Sequence, residues 1–329
     1  MDKIIEKLVL FHQSDVLTIV FGVTAGLFTL VGFSTIFISM NSQHKIEKAR
    51  EFLWEIGNIP YKYTKYNDDR IGKETYHLYS LYNSILNSKD KTMRNLITFV
   101  KGIFIFIAFS WISTCVFLMN EFHIAELIYV SLIIIVAICF LYLFYRFISK
   151  LCNITELAGL PKYEDLLDLS KENKGISVVS IAGISMILTI RKKSETHLKI
   201  SVGFPVPFTG AGIGVCIYGN KDNSKEKDSS EFIVNDYEPR CWIEKDKYVW
   251  CLNNASYFEL NLLEFEMPQE ISEINFQIAL NCIRGVINVH FDNIKIEVLK
   301  NMDIVSGHYF NPNRFNEIYV ENRDQQREQ

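Results

Sequence analysis

His290 and Asp292 stand two residues apart in an alternating stretch, so both side chains leave the same face of one strand. An imidazole beside a carboxylate can pass a proton or offer two ligands to a metal. The sequence supplies no third ligand, and hydrogen bonding around a local backbone irregularity explains the pair without chemistry. Gly210-Ala-Gly212-Ile-Gly214 has the composition of a phosphate loop. It lacks the following Lys-Ser/Thr and the helix start that aims backbone amides at phosphate, so a connection between strands is expected. Arg240, Trp242, Tyr248 and Trp250, with Tyr257, could make an aromatic recognition face for a ligand, and the same side chains could equally fill a core. Nucleophile, base and orienting group nowhere fall into a pattern, and a protein without catalytic activity is expected.

These residues sit where the hydrophobic period is two. Leu198, Ile200 and Val202 alternate with Lys199 and Ser201, and Ile274, Phe276, Ile278 and Leu280 alternate with Asn275, Gln277 and Ala279. Further strands are expected at Ile176–Ile181, Met186–Arg191, Gly214–Tyr218, Glu231–Val234, Cys241–Glu244, Tyr248–Leu252, Tyr257–Leu262 and Val286–Val298. Short strands joined by polar turns describe an all-β sandwich or jelly roll over residues 175–300. Within the last strand the inward positions run Ile287, Val289, Phe291 and then jump to Ile294, Ile296, Val298. That change of parity around Asp292 and Asn293 predicts a β-bulge.

The stretch Tyr257–Lys300 resembles the closing part of galactose-binding-like jelly rolls of the carbohydrate-binding-module type. The likeness rests on Phe258, Leu260 and Leu262, then Pro268, the alternation Ile274–Leu280, Gly285, and Val289, Phe291, Asp292, Asn293, Ile294, Ile296. It implies a fold and nothing about a ligand.

The first half of the chain is of another kind. Three uncharged apolar stretches, Val16–Met40, Gly102–Met119 and Leu127–Tyr145, run 25, 18 and 19 residues. At roughly 1.5 Å per residue each suffices for the ~30 Å hydrocarbon layer of a bilayer. The first is longer than a signal peptide's apolar region and is followed by Asn41-Ser-Gln-His44, so it is expected to stay as an anchor. Within it Gly22 and Gly26 form a GxxxG notch for helix association, either with the other spans or with a second copy. Ser110, Ser113 and Thr114 can bond their own helix carbonyls as readily as line a pore. No ionisable residue lies near the middle of a span, which argues against a proton-coupled transporter or a voltage sensor.

Cationic residues set the expected orientation. Ten Lys and Arg lie between Asn41 and Asn95, whereas Asn120–Glu126 has none. The long loop and the C-terminal half are therefore expected in the cytoplasm and the N-terminus outside. Residues 1–14 suit an interfacial helix. The first span is expected to continue as a helix toward Gly57 and to break at Pro60. A second cytosolic helix is expected over Lys73–Asn87 with a packing stripe of Tyr76, Tyr79, Tyr82 and Leu86. A linker follows at 154–174, with a short helix over Tyr163–Lys171. The loop Asn220–Glu231 reads as a polar hairpin tip and the tail after residue 300 as an extension with a disordered end.

Residues 1–150 hold 15 cationic against 12 acidic side chains, and residues 151–329 hold 19 against 26. An acidic β domain is the wrong surface for nucleic acid. The five cysteines after residue 150 are odd in number and show no CxxC, so free thiols are expected and neither metal nor other cofactor.

The sequence thus describes a membrane α-helical N-terminal half (1–153) with three transmembrane helices and juxtamembrane helices, followed by an all-β domain. The expected partners are the bilayer, further copies of the chain, and a protein or small ligand at the β domain. The expected role is a membrane effector or receptor, with a layout similar to membrane-disrupting antiviral effectors of bacteria. The alternative is a membrane-anchored adhesin or glycan-binding module, which needs the opposite topology.

Overall fold

The structure, a computed structural model, describes residues 13–63, 70–88, 91–118, 124–171, 176–220, 230–252, 256–268, 271–283, 285–301 and 304–307. The expected interfacial helix at 1–14 lies almost wholly outside them, and the hairpin tip and the tail largely or wholly so. The chain divides into two compact units. One combines Met1–Ala49 with Asn87–Leu160, the other Arg50–Leu86 with Pro161–Gln329.

Helices α1 (Gln13–Tyr63), α2 (Arg70–Asn87), α3 (Lys91–Leu118) and α4 (Ile124–Leu151) come first, then the short α5 (Ile154–Ala158) and α6 (Tyr163–Leu167). Three helical segments are long and apolar enough to cross a membrane, within α1, within α3 and within α4. Helix α1 runs beyond Gly57 and carries Pro60 inside its last turn. Pro60 therefore does not end it at once. Proline removes only its own N–H and the bond to the carbonyl four residues back, so a helix already formed can close one more turn before it stops.

In the first unit, Val31 and Ile38 of α1 pack with Val100, Phe104 and Ile107 of α3 and Leu141 and Ile148 of α4. Phe21 meets Trp111 edge to face, ring centroids 4.9 Å apart. Hydroxyls in the spans are spent on their own helices: Thr114 donates to the Ser110 carbonyl (2.8 Å) and Ser34 to that of Leu30 (2.8 Å).

In the second unit, α7 (Val178–Ile184) precedes nine strands among the described residues: β1 (Ile187–Lys192), β2 (His197–Phe204), β3 (Gly212–Asn220), β4 (Ser230–Trp242), β5 (Val249–Leu252), β6 (Ser256–Glu266), β7 (Glu273–Cys282), β8 (Gly285–Lys295) and β9 (Ile304–Gly307). Helix α8 (Ile296–Asn301) separates the last two. The strands form two antiparallel sheets, β5-β6-β2-β1-β9 and β4-β3-β7-β8. Sequence-adjacent pairs β1β2, β3β4, β5β6 and β7β8 go alternately to one sheet and the other, and β2·β6, β3·β7 and β1·β9 complete the sheets. Phe265 of β6 meets Phe276 of β7 with ring centroids 6.2 Å apart, so the two apolar faces share a core. Leu198, Ile200, Val202, Ile274, Phe276, Ile278 and Leu280 are all buried, the period-two residues of the sequence.

The bulge is where the parity jump places it. Ile274 pairs with Ile294 and Phe276 with Phe291, two residues of β7 against three of β8, which absorbs one extra residue at Asp292–Asn293. Three strand expectations are corrected. Ile176–Ile181 begins a helix instead, because Ser177 caps it by accepting from the Ser180 amide (3.4 Å) and the fold buries it on nearly every side, from Val178 to Ile184. The last strand stops at Lys295, and α8 turns Val298 outward. The separate strands at Glu231–Val234 and Cys241–Glu244 are one, β4, whose register slips between partners Asp236 and Cys241 where Pro239 withholds a donor.

Candidate functional site

Helix α2 has one buried face, Ile71, Thr75, Leu78, Tyr79 and Tyr82, spaced three and four apart. Tyr79 and Tyr82 are fully buried, whereas Tyr76 of the same stripe is largely exposed. The Tyr79 hydroxyl donates to the carbonyl of Leu166 at 3.3 Å and the Tyr82 hydroxyl to that of Pro161 at 2.6 Å. Both acceptors lie in the segment that leads into the β domain. Burial pushes both phenols well above their ordinary pKa, so they stay protonated donors throughout the physiological range.

The rings extend this contact into the β domain. Tyr79 meets Tyr163 of α6 (6.5 Å between centroids) and Phe208 (6.0 Å), both edge to face. Phe208 meets Phe204 of β2 at 5.8 Å, and its carbonyl accepts from the Tyr248 hydroxyl at 2.9 Å. Tyr248 and Trp250 then bracket Phe258 of β6 at 6.1 and 4.6 Å, and Tyr76 returns to Trp250 at 6.2 Å. Edge-to-face pairs of this kind contribute about 0.5–1.5 kcal/mol each beyond their buried area. The result is an aromatic collar that fixes α2 to one end of the sheet β5-β6-β2.

The entry segment is held from its other side as well. Leu169 donates to the Thr209 carbonyl and Thr209 to that of Leu167, each at 2.8 Å. Asp168 accepts from the Ser170 amide (3.0 Å) and hydroxyl (2.6 Å). Gly210 crosses this point at φ +79, and a Cβ there would lie 2.1 Å from Asp168 Oδ1. Its amide donates to the Ile243 carbonyl at 3.2 Å, so at Gly210 the glycine loop is a strand connection with its donor engaged. The lysine of the outer turn, Lys171, reaches Asp165 at 2.6 Å, and this hydrogen bond holds the Asp165 carboxyl below the usual range.

The residues singled out in the sequence do not converge. Trp242 is exposed at the end of β4, Arg240 lies in β4 with its side chain outside the described set, and Tyr248 and Trp250 belong to the collar. Tyr257 packs beneath Gly203, whose absent Cβ would stand 2.5 Å from the Tyr257 ring. His290 and Asp292 share a face of β8 in the other sheet, with His290 Nδ1 and Asp292 Oδ1 shut off from solvent. Register sets Cys216, Gln277 and His290 in one row across β3, β7 and β8. With about 4.8 Å per strand, thiol and imidazole stand two strands, roughly 10 Å, apart, too far for proton transfer. Among the described residues no group of three His, Cys, Asp or Glu is placed to hold a metal.

One buried charged cluster gave no sign in the sequence. Glu259 of β6, 3% exposed, accepts from the Ser201 hydroxyl and pairs with the Arg191 guanidinium of β1. Period two marks Glu259 as facing away from Phe258 and Leu260, and nothing local says that its face is covered. Cys115, Cys139, Cys152, Cys216 and Cys282 are free thiols, and burial raises the Cys282 thiol to about 11.

Gly22 and Gly26 lie on α1 with open space where a Cβ would be, as does Gly32. Among the described residues nothing fills the notch. Comparison with protein-family models finds no match to this chain, and comparison with curated protein sequences finds none either.

Proposed function

We propose that the chain is an integral membrane effector or receptor whose β domain binds a protein or small ligand and controls an oligomeric helical membrane unit. The observation that carries this reading is the collar. Helix α2 belongs to the loop that joins the first and second apolar helices, and Tyr79 and Tyr82 fasten it to the segment that opens the β domain. A change in the β domain that shifts Pro161, Leu166 or Phe208 must move α2, and α2 is tied by the chain to both apolar helices. The unfilled notch at Gly22 and Gly26 supports self-association, because small residues let a second helix backbone come close. The β domain faces the cytoplasm in this reading, on the strength of the cationic loop. A membrane-disrupting role in bacterial antiviral defence is the biological form it would take, and the jelly-roll likeness of Tyr257–Lys300 contributes a scaffold without a ligand.

Full-length protein reconstituted into phosphatidylcholine vesicles with a minority of phosphatidylglycerol should release an entrapped dye. A Tyr79→Ala/Tyr82→Ala variant, incorporated equally, should shift that release. Wild type and variant that both incorporate yet never release dye, with or without cell extract, refute the effector reading. Sidedness is separable: labelling of Lys245→Cys by an impermeant maleimide in intact cells would put the β domain outside and favour the anchored glycan-binding module.

A further inference from the structure

The membrane unit contains an apolar cavity of about 400 Å³ between its three apolar helices, walled by Phe21 and Phe28 of α1, Ala108 and Trp111 of α3, and Ala137 and Ile138 of α4. A second groove of about 370 Å³ adjoins it through the shared walls Ala108, Ile138 and Leu141. Its far end is different in kind, because there the lining is Lys101, Tyr142 and Tyr145. Lys101 begins the second span and Tyr145 ends the third, the depth at which tyrosine and lysine meet headgroups. Among the described residues Lys101 has no ion-pair partner. From Lys101 to Trp111 is ten residues of helix, about 15 Å, room for most of one acyl chain.

We infer that the two adjoining grooves act together as a site for an anionic phospholipid, its phosphate on Lys101 and one acyl chain running past Ala108 and Ile138 toward Trp111. The inference rests on the membrane reading above and adds a ligand to it. An apolar trough alone would accept any hydrocarbon. The unpaired cation at headgroup depth selects the negatively charged class, because a lysine there is attracted to an anionic headgroup and only weakly to a zwitterion. The cavity between the helices then serves as the seat of the chain end, away from the lipids that exchange freely around the exposed rim.

The test uses the full chain in vesicles that carry either phosphatidylglycerol or phosphatidylcholine with a diazirine in the acyl chain. After irradiation, label from phosphatidylglycerol should concentrate on peptides containing Phe28, Trp111 and Ala137. Lys101→Gln should lower that labelling about five-fold, toward the phosphatidylcholine level, the factor one basic side chain confers at an anionic surface. Ala137→Phe, which fills the groove and leaves Lys101 in place, should abolish it for both lipids. Carbonate extraction is read in parallel. Release of the protein by carbonate refutes the membrane reading and the groove together. Retention with label spread over the rim, around Phe109 and Ile135, equal for both headgroups and unchanged by the two variants, refutes the groove alone.

Discussion

Phe109 in the second apolar helix is 68% exposed, and Phe276 in the β domain is fully buried. The contrast holds across the two units. Only 11% of the first and third apolar windows and 22% of the second are buried, while the sheet residues Ile200, Phe204, Phe276 and Ile278 are all closed off. One region buries its phenylalanines and the other leaves them bare, the division that the proposed membrane setting accounts for. The β domain carries its own apolar phase inside. On the membrane reading proposed above, the helical unit borrows one from outside, where its exposed apolar side chains meet lipid.

Truncating one phenylalanine in each region puts this contrast to its most severe test. Phe276→Ala should cost the β domain about 3–5 kcal/mol in a denaturant melt of the full chain, while Phe109→Ala should leave thermal unfolding in detergent almost unchanged. Equal losses would mean that both regions are packed interiors. Glycines give the next contrast. Gly210→Ala places a Cβ against Asp168 at positive φ and should destabilise the β domain by about 1–3 kcal/mol, whereas Gly26→Ala meets nothing within 4 Å and should leave the fold alone. Smaller still is the loss of one collar hydroxyl. Tyr79→Phe or Tyr82→Phe should each cost about 1 kcal/mol and speed hydrogen exchange along α2 without altering the apolar helices. The smallest effect is on pH. The Asp165 carboxyl is lowered by Lys171, so its contribution is present above the ordinary carboxylate range and fades as pH falls through its lower native value. Lys171→Met should flatten that part of the stability–pH curve.

The extent to which this could be read beforehand follows the range of the forces involved. Period-two alternation of residue type made β2 and β7 plain, and the parity jump located the bulge in β8, because both are properties of neighbouring residues. Ile176–Ile181 misled for the same reason. Its isoleucines and valines favour a strand, and the helix appears only because Ser177 caps it and because the fold offers a place to bury it whole. Tyr79 and Tyr82 were legible as a packing stripe but not as a collar, since their partners lie at Leu166 and Pro161 and no local period points that far. Tyr248 and Trp250 allowed two readings, a recognition face or packing, and in the structure they meet Phe258 and help seat α2. Glu259 and Arg191 are a register effect, invisible until β1, β2 and β6 are laid side by side.

The distance along the chain between Tyr79 and Leu166, 87 residues, also has a consequence for biosynthesis. At roughly 5–20 residues per second a ribosome takes about 4–17 seconds to make the carbonyl that Tyr79 will bind. For most of that interval every residue of α2 has been made, and the face that will close over Tyr79 and Tyr82 does not yet exist. A fragment that stops short of Pro161 would keep those tyrosines uncovered for good, so studying the apolar helices by themselves would introduce a sticky surface that the whole chain never shows.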